Sequence, residues 1–144
     1  MNLVITKAKA IDLHAITSLE IDVFNQTFTA DYVDTFLQNE SLLVAKNNNS
    51  VVGVVGWFEQ EDFAEIIMIG VKKEFRNQQI GSMLLKACIS MLLSKRINKL
   101  FIEVRKSNEA AIALYRKTGF VFNRKREKYY QNPSEDAIEM RLEL

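Results

Sequence analysis

The chain has 144 residues, with 19 basic and 18 acidic side chains and a formal net charge of +1. That length suits a single domain spanning residues 1–144, and 48% hydrophobic with 26% charged residues supports a packed core and argues against disorder. The charge balance argues against a dedicated nucleic-acid binder, one cysteine (Cys88) and one histidine (His14) exclude an intramolecular disulfide and a Cys/His zinc site, and no apolar run reaches membrane-spanning length.

The first ten residues carry lysines and alternate in polarity, unlike a signal peptide, so the expectation is a soluble cytoplasmic protein with no membrane partner. Leu3–Thr6 reads as a short strand. Asp12 is placed to cap a helix running to about Phe24, with Leu13, Ile16, Leu19 and Val23 at apolar positions. Asp31–Gln38 reads as a second, short helix. Ser41–Lys46 and Val51–Glu59 are strands flanking the polar turn Asn47–Ser50, and Ala64–Val71 is a third apolar run. Lys72–Gln79 is a polar loop before the longest helix, Ile80–Lys95, whose apolar residues include Met83, Leu84, Cys88 and Leu92. Leu100–Val104 is a strand, Asn108–Lys117 a helix closed by Gly119, and two strands follow, from Phe120 towards Tyr130 and over Ala137–Leu142. The order β-α-α-β-β-β-α-β-α-β-β predicts a mixed sheet with helices on both faces.

Two segments carry chemistry. In the first, the run Ile66–Val71 feeds a polar loop that opens a helix at Ile80, with Arg76 ahead of the junction and Gly81 inside it. Orphan N–H groups and the helix dipole make such a junction an anion site, and glycine admits a phosphate close to the backbone. A loop-to-helix junction with one glycine is common, so this segment alone decides little. The second is Glu103-Val104-Arg105, Ser107-Asn108, Ala110-Ala111-Ile112, Leu114-Tyr115 and Gly119-Phe120. These residues with Arg76–Gly81 resemble the GNAT superfamily of N-acetyltransferases, in particular its bacterial ribosomal-protein alanine N-acetyltransferases. Arg126, Tyr129-Tyr130, Glu135-Asp136-Ala137 and Met140 extend the resemblance.

The resemblance implies an α+β fold around a twisted, mixed but mostly antiparallel sheet of about seven strands. It implies acetyl-CoA as co-substrate, no metal, and an acetyl donor held between two splayed strands. Backbone groups of Ile69, Gly70 and Val71 would lie along the pantetheine, while Asn77, Gln78, Gln79, Ile80, Gly81 and Ser82 would cradle the pyrophosphate with charge from Arg76. Asn108 and Tyr115 would face the thioester. Glu103 would be the base acting through a water, Tyr115 the acid for the departing thiolate, and Arg126, Tyr129 and Tyr130 the acceptor pocket. The acceptor would be a protein or peptide N-terminus, with ribosomal proteins among the candidates.

Three departures from the family pattern matter, one of them Met68 at a position that is often polar in the alanine-specific relatives. Gln79 stands where the family loop has its first glycine, so a positive φ there would carry roughly 1 kcal/mol of strain. The Pro-Trp pair of the alanine-specific relatives is absent, and Phe24-Asn25-Gln26-Thr27-Phe28 stands in its place. They keep two other readings open, an acetyltransferase for lysine or a small amine and a non-catalytic CoA-binding module. Read without the resemblance, Glu103 could instead pair with Arg105 or Lys106 at the surface, and Asn108 could simply cap its helix. An acidic stretch over residues 1–40 and a basic one over 116–128 suggest either a peptide side and a CoA side or two solvated faces.

Overall fold

The structure is a computed structural model; it describes residues 2–24 and 30–144, and side chains throughout these except over 20–24 and 30–31. Among the described residues, seven strands form one sheet in the order β1-β2-β3-β4-β5-β7-β6. They are β1 (Leu3–Lys7), β2 (Leu42–Asn47), β3 (Ser50–Glu59), β4 (Phe63–Val71), β5 (Lys99–Arg105), β6 (Val121–Tyr130) and β7 (Glu135–Glu143). The helices are α1 (Leu13–Phe24), α2 (Ala30–Gln38), α3 (Ile80–Leu93) and α4 (Glu109–Thr118). Every neighbouring pair is antiparallel except β4 and β5, which run parallel. The sequence order of elements is reproduced, and the sheet is mixed and mostly antiparallel as expected.

The central strands explain why helices cover both faces. Val51–Trp57 of β3 is buried without interruption, the pattern of a strand packed on two sides. Alternate residues therefore feed two cores. Leu42, Val44, Val54 and Met68 pack with Ile16 and Leu19 of α1 and Val33 and Phe36 of α2. Leu43, Ala45, Val55, Ile66, Leu100 and Ile102 pack with Leu84, Leu85, Cys88 and Leu92 of α3. Cys88 and Trp57 are fully buried core residues, and His14 is exposed.

Local chemistry sets the element ends, with one correction. Asp12 does not cap α1. It closes a 3-10 turn over Ala10–Asp12, where its carboxylate accepts the Lys9 N–H (2.9 Å) and pairs with Lys46 (2.8 Å). The polar residue was legible, but its donor lies upstream, because a short 3-10 turn precedes the helix. Asn108 caps α4 as expected, its side chain accepting the Ala111 N–H at 3.2 Å. Gly119 follows at φ +116°, with its N–H directed to the carbonyls of Tyr115 and Arg116.

Candidate active site

The parallel pairing of β4 with β5 is short. Phe63–Ile66 of β4 pair with Lys99–Ile102 of β5, and the ladder stops there. Past Ile66 and Ile102 the strands part around a cleft of about 1040 Å³. Its walls are Ile66–Ile69 from β4, Glu103–Arg105 from β5, Asn108 at the cap of α4, Tyr115 within α4, and Tyr129 and Tyr130 from β6. Ile102 and Val104 face the α3 side of the sheet, whereas Glu103 between them faces the other. The opening thus gives access from both faces.

The free edge of β4 carries backbone groups suited to an extended ligand. Lys72 N–H reaches across to Val52 C=O at 2.8 Å, and β4 pairs regularly with β3 from Ile69 to Val71. Alternation along the strand then turns Gly70 to β3 and leaves Ile69 and Val71 at the open edge. Arg76 is exposed and donates from Nε to Val71 C=O at 3.3 Å, which puts its guanidinium where this edge meets the loop.

That loop is shaped for an anion. Asn77 and Gln79 both take the left-handed conformation, at φ +62° and +64°, and Arg76–Gln79 are exposed. No side chain caps α3, and its first intrahelical bond is from Met83 N–H to Gln79 C=O. The N–H groups of Ile80, Gly81 and Ser82 therefore lack helical partners at the positive end of the helix dipole. Gly81 has a second use: a Cβ there would lie 3.3 Å from Leu114 Cδ2, so the glycine also lets α3 approach α4.

On the α4 side, Tyr115 is 5% exposed, borders the cleft and packs on Phe120 with ring centroids 5.9 Å apart. Burial, and then the neighbouring Tyr130, raise its phenol well above the ordinary range, so the hydroxyl is held protonated.

On the other face, Glu103 is nearly enclosed, with its side chain 11% exposed. Its Oε1 faces Arg126 Nε at 3.3 Å, and its Oε2 is buried with no hydrogen-bond partner. Pairing with Arg105 or Lys106 does not occur; the counter-charge comes from β6, which lies beyond β7 in the sheet. Glu139, opposite Glu103 on β7, accepts from Asn123 Nδ2 (2.6 Å) and Arg124 Nε (3.0 Å). Glu65 on β4 completes a group of three carboxyls whose ligand oxygens lie within 4.8 Å of one another. Burial, then the charges of Glu103 and Glu139, raise the Glu65 carboxyl above its usual range. The Arg126 guanidinium also lies over the Tyr129 ring, 5.2 Å from its centroid.

Arg105 serves the adjoining loop. It donates to Gln131 C=O (2.9 Å) and Pro133 C=O (3.0 Å), faces Glu135 Oε1 (3.4 Å) and covers the Tyr130 ring at 4.6 Å. Glu135 in turn accepts the Ser107 N–H at 2.7 Å, tying the β6–β7 turn to the start of α4. Tyr130 is half-buried; burial and then the Glu103 charge push its phenol up to about 12.

Apart from Gly70, which turns to β3, and Arg126, which lines a second hollow with Glu65 and Glu139 instead of the expected acceptor pocket, the sequence-derived set falls into three parts around one cleft. Ile69 and Val71 lie at the free edge, Arg76–Ser82 at its end, and Glu103, Asn108, Tyr115, Tyr129 and Tyr130 on its walls. In the basic stretch over 116–128, Arg116, Lys117, Lys125 and Lys128 are exposed, whereas Arg124 is paired with Glu139 and Arg126 with Glu103 and Glu139. Of the segment Phe24–Phe28, residues 25–28 lie outside the described residues. Sequence reasoning missed Glu65, Glu139 and the clamp made by Arg105. A signal existed for the first two: each is a carboxylate between apolar residues of a strand, Ala64/Ile66 and Ile138/Met140.

Comparison with known proteins agrees with this geometry. The model of the acetyltransferase (GNAT) family matches residues 13–120. A Bacillus subtilis (strain 168) protein that carries the provisional name ribosomal protein bS18-alanine N-acetyltransferase is 30% identical over 132 residues, 90% of this chain and 87% of that protein. The crystal structure of the ribosomal-protein-S18-alanine N-acetyltransferase from Escherichia coli superposes with a TM-score of 0.89 at 28% identity, over 99% of this chain and 94% of that one. A GNAT family acetyltransferase from Elizabethkingia anophelis with acetyl-CoA bound gives 0.79 at 28% identity, over 99% of each chain. The chain belongs to the acetyltransferase (GNAT) family and is an acetyl-CoA-dependent N-acetyltransferase.

Proposed function

We propose that this chain acetylates the N-terminal α-amine of a protein or peptide, with a ribosomal protein that begins with alanine as the first candidate. One observation supports this most: the cleft opens the sheet from both faces, with Asn108 and Tyr115 on one side and Glu103 with Tyr129 on the other. Donor and acceptor can enter from opposite faces and meet. The Bacillus relative and the Escherichia coli enzyme, both named for alanine acetylation of a ribosomal protein, supply the acceptor class. The reading takes the chain as one domain throughout and goes with a cytoplasmic location, where ribosomal proteins are made; among the described residues no helix is long and apolar enough to cross a membrane.

The open-edge backbone groups of Ile69 and Val71 would hold the pantetheine arm, and the uncapped start of α3 with Asn77 and Gln79 the pyrophosphate. Bound acetyl-CoA supplies an acetyl thioester. Glu103 takes a proton from the incoming amine through a water, and Tyr115 Oη gives one to the departing sulfur. An α-amine has a pKa of about 7.7–8.0 against about 10.4 for lysine, a difference worth roughly 3.5 kcal/mol in deprotonation, which favours the N-terminal acceptor.

Gln79 supplies a test of the loop. Its left-handed φ of +64° costs an L-residue about 1 kcal/mol. Gln79→Gly is therefore expected to raise folding stability by up to about 1 kcal/mol, as read by denaturant titration, and to tighten CoA binding measured by calorimetry. Weaker CoA binding would show that the glutamine side chain itself contributes.

The acceptor is tested by free-thiol release from acetyl-CoA with three acceptors. They are a basic peptide with a free N-terminal alanine, the same peptide blocked at its terminus but keeping its lysines, and small polyamines. Release with the free terminus alone is expected. Release with the blocked peptide or a polyamine would move the acceptor to lysine or a small amine.

A further inference from the structure

Two separate hollows reach the three-carboxyl cluster. Glu103 lines the cleft between β4 and β5, whereas Glu65 and Glu139 line a second hollow of about 480 Å³ and not the first. The second hollow is bordered by exposed Asp62, Lys99 and Arg124, so it is continuous with solvent. Once donor and peptide fill the first cleft, a proton on Glu103 has no bulk water on its own side.

Charge arithmetic singles out Glu65. Three carboxyls stand against two guanidiniums. Arg126 faces Glu103 and Glu139, Arg124 faces Glu139, and neither pairs with Glu65. One proton on Glu65 makes the cluster neutral. It also supplies a donor within the cluster, where one oxygen of each of Glu65, Glu103 and Glu139 lies within 4.8 Å of the others and Glu103 Oε2 is buried without a partner. Among the described residues, Glu65 is faced by Glu103, Glu139, Arg124, Arg126 and Tyr129, with Asp62 and Lys99 bordering its hollow. The upward displacement of its carboxyl has the same direction.

We propose that Glu65 is a proton-exit residue, which receives from Glu103 the proton taken from the acceptor ammonium and releases it to water in the second hollow. This rests on the proposed role of Glu103. The ammonium nitrogen loses one proton and becomes a neutral amine. Glu103 gains that proton and passes it on as Glu65 gives its own to water, so both carboxyls return to their starting states and one proton reaches solvent. Glu65 acts through Glu103 and touches no reacting atom, so it is a positioning residue rather than a catalytic one.

The first arm needs no turnover: carbon-13 NMR titration of the glutamate carboxyls in the full chain without ligands. Glu65 is expected to titrate above the usual carboxylate range, and its step to fall in Glu103→Gln. The second arm is steady-state kinetics with the best acceptor amine. Glu65→Gln is expected to lower kcat about tenfold, leave both KM values within about twofold, and recover with added acetate or imidazole buffer, while Glu65→Asp keeps most of the rate. Independent titrations overturn the proposal, as does a wild-type kcat in Glu65→Gln from pH 6 to 9 or a loss that neither buffer nor aspartate restores. Turnover with uncoupled titrations overturns the exit route alone. A wild-type chain that acetylates no amine overturns the role of Glu103, and the exit route with it.

Discussion

Tyr115→Phe is expected to lower turnover by about 10²–10⁴-fold while leaving acetyl-CoA affinity within about twofold. The substitution removes one hydroxyl and keeps the ring, which is 5% exposed and packed on Phe120, so the fold has no reason to change. What disappears is the proton available to the departing sulfur. Because burial raises this phenol well above its usual range, the wild-type rate should show no alkaline loss from Tyr115 below pH of about 10, the ordinary value for tyrosine. Stopped-flow thiol release with a separate CoA titration checks both halves. Unchanged turnover would remove Tyr115 from the acid role, and parallel loss of turnover and affinity would make it a binding residue.

Glu103→Gln should have a comparable effect with a different pH signature. The amide keeps the shape but cannot accept the amine's proton, and kcat/KM near pH 7 is expected to fall by about 10²–10⁴-fold. Near pH 7 roughly a tenth to a fifth of an α-amine is already neutral, and almost all of it is neutral by about pH 9. The deficit of the variant should therefore shrink about five- to tenfold between those pH values, whereas a residue that only held the peptide would show a constant deficit. Arg126 keeps Glu139 as a partner in this variant, which limits the structural cost. A pH–rate profile of both proteins decides the matter.

The fold was largely readable because its strands and helices are strongly periodic and end at residues with local chemistry, such as Asn108 and Gly119. Where the reading slipped, the interaction was remote from the residue in sequence. Asp12 accepts a hydrogen bond from upstream and an ion pair from β2, and no local pattern announces either. The site divides along the same line. Gln79 at a loop-to-helix junction and Asn108 as a cap were legible from a few residues of local sequence, and the place of Tyr115 came with the family resemblance. The surroundings of Glu103 do not, because Glu65, Arg126 and Glu139 reach it from three other strands through sheet register. Arg105 is similar: its neighbours in sequence are strand residues, but its partners lie 25 to 30 positions away.

The early end of the β4–β5 ladder at Ile66 and Ile102 bears on how long the protein lasts as well as on what it does. Peptide groups at Ile69 and Val71 are left without a strand neighbour, and on the proposed placement the acetyl donor takes that role, completing the sheet from outside the chain. A ligand held only by the native state adds about 2.7 kcal/mol of stability at a hundred times its dissociation constant. Against a total of roughly 5–15 kcal/mol for a typical domain, that is a large share. The supply of acetyl donor would then govern survival as well as rate: a cell short of it would hold a chain that unfolds more often and meets proteases more often, and enzyme abundance would follow metabolic state with no dedicated regulator.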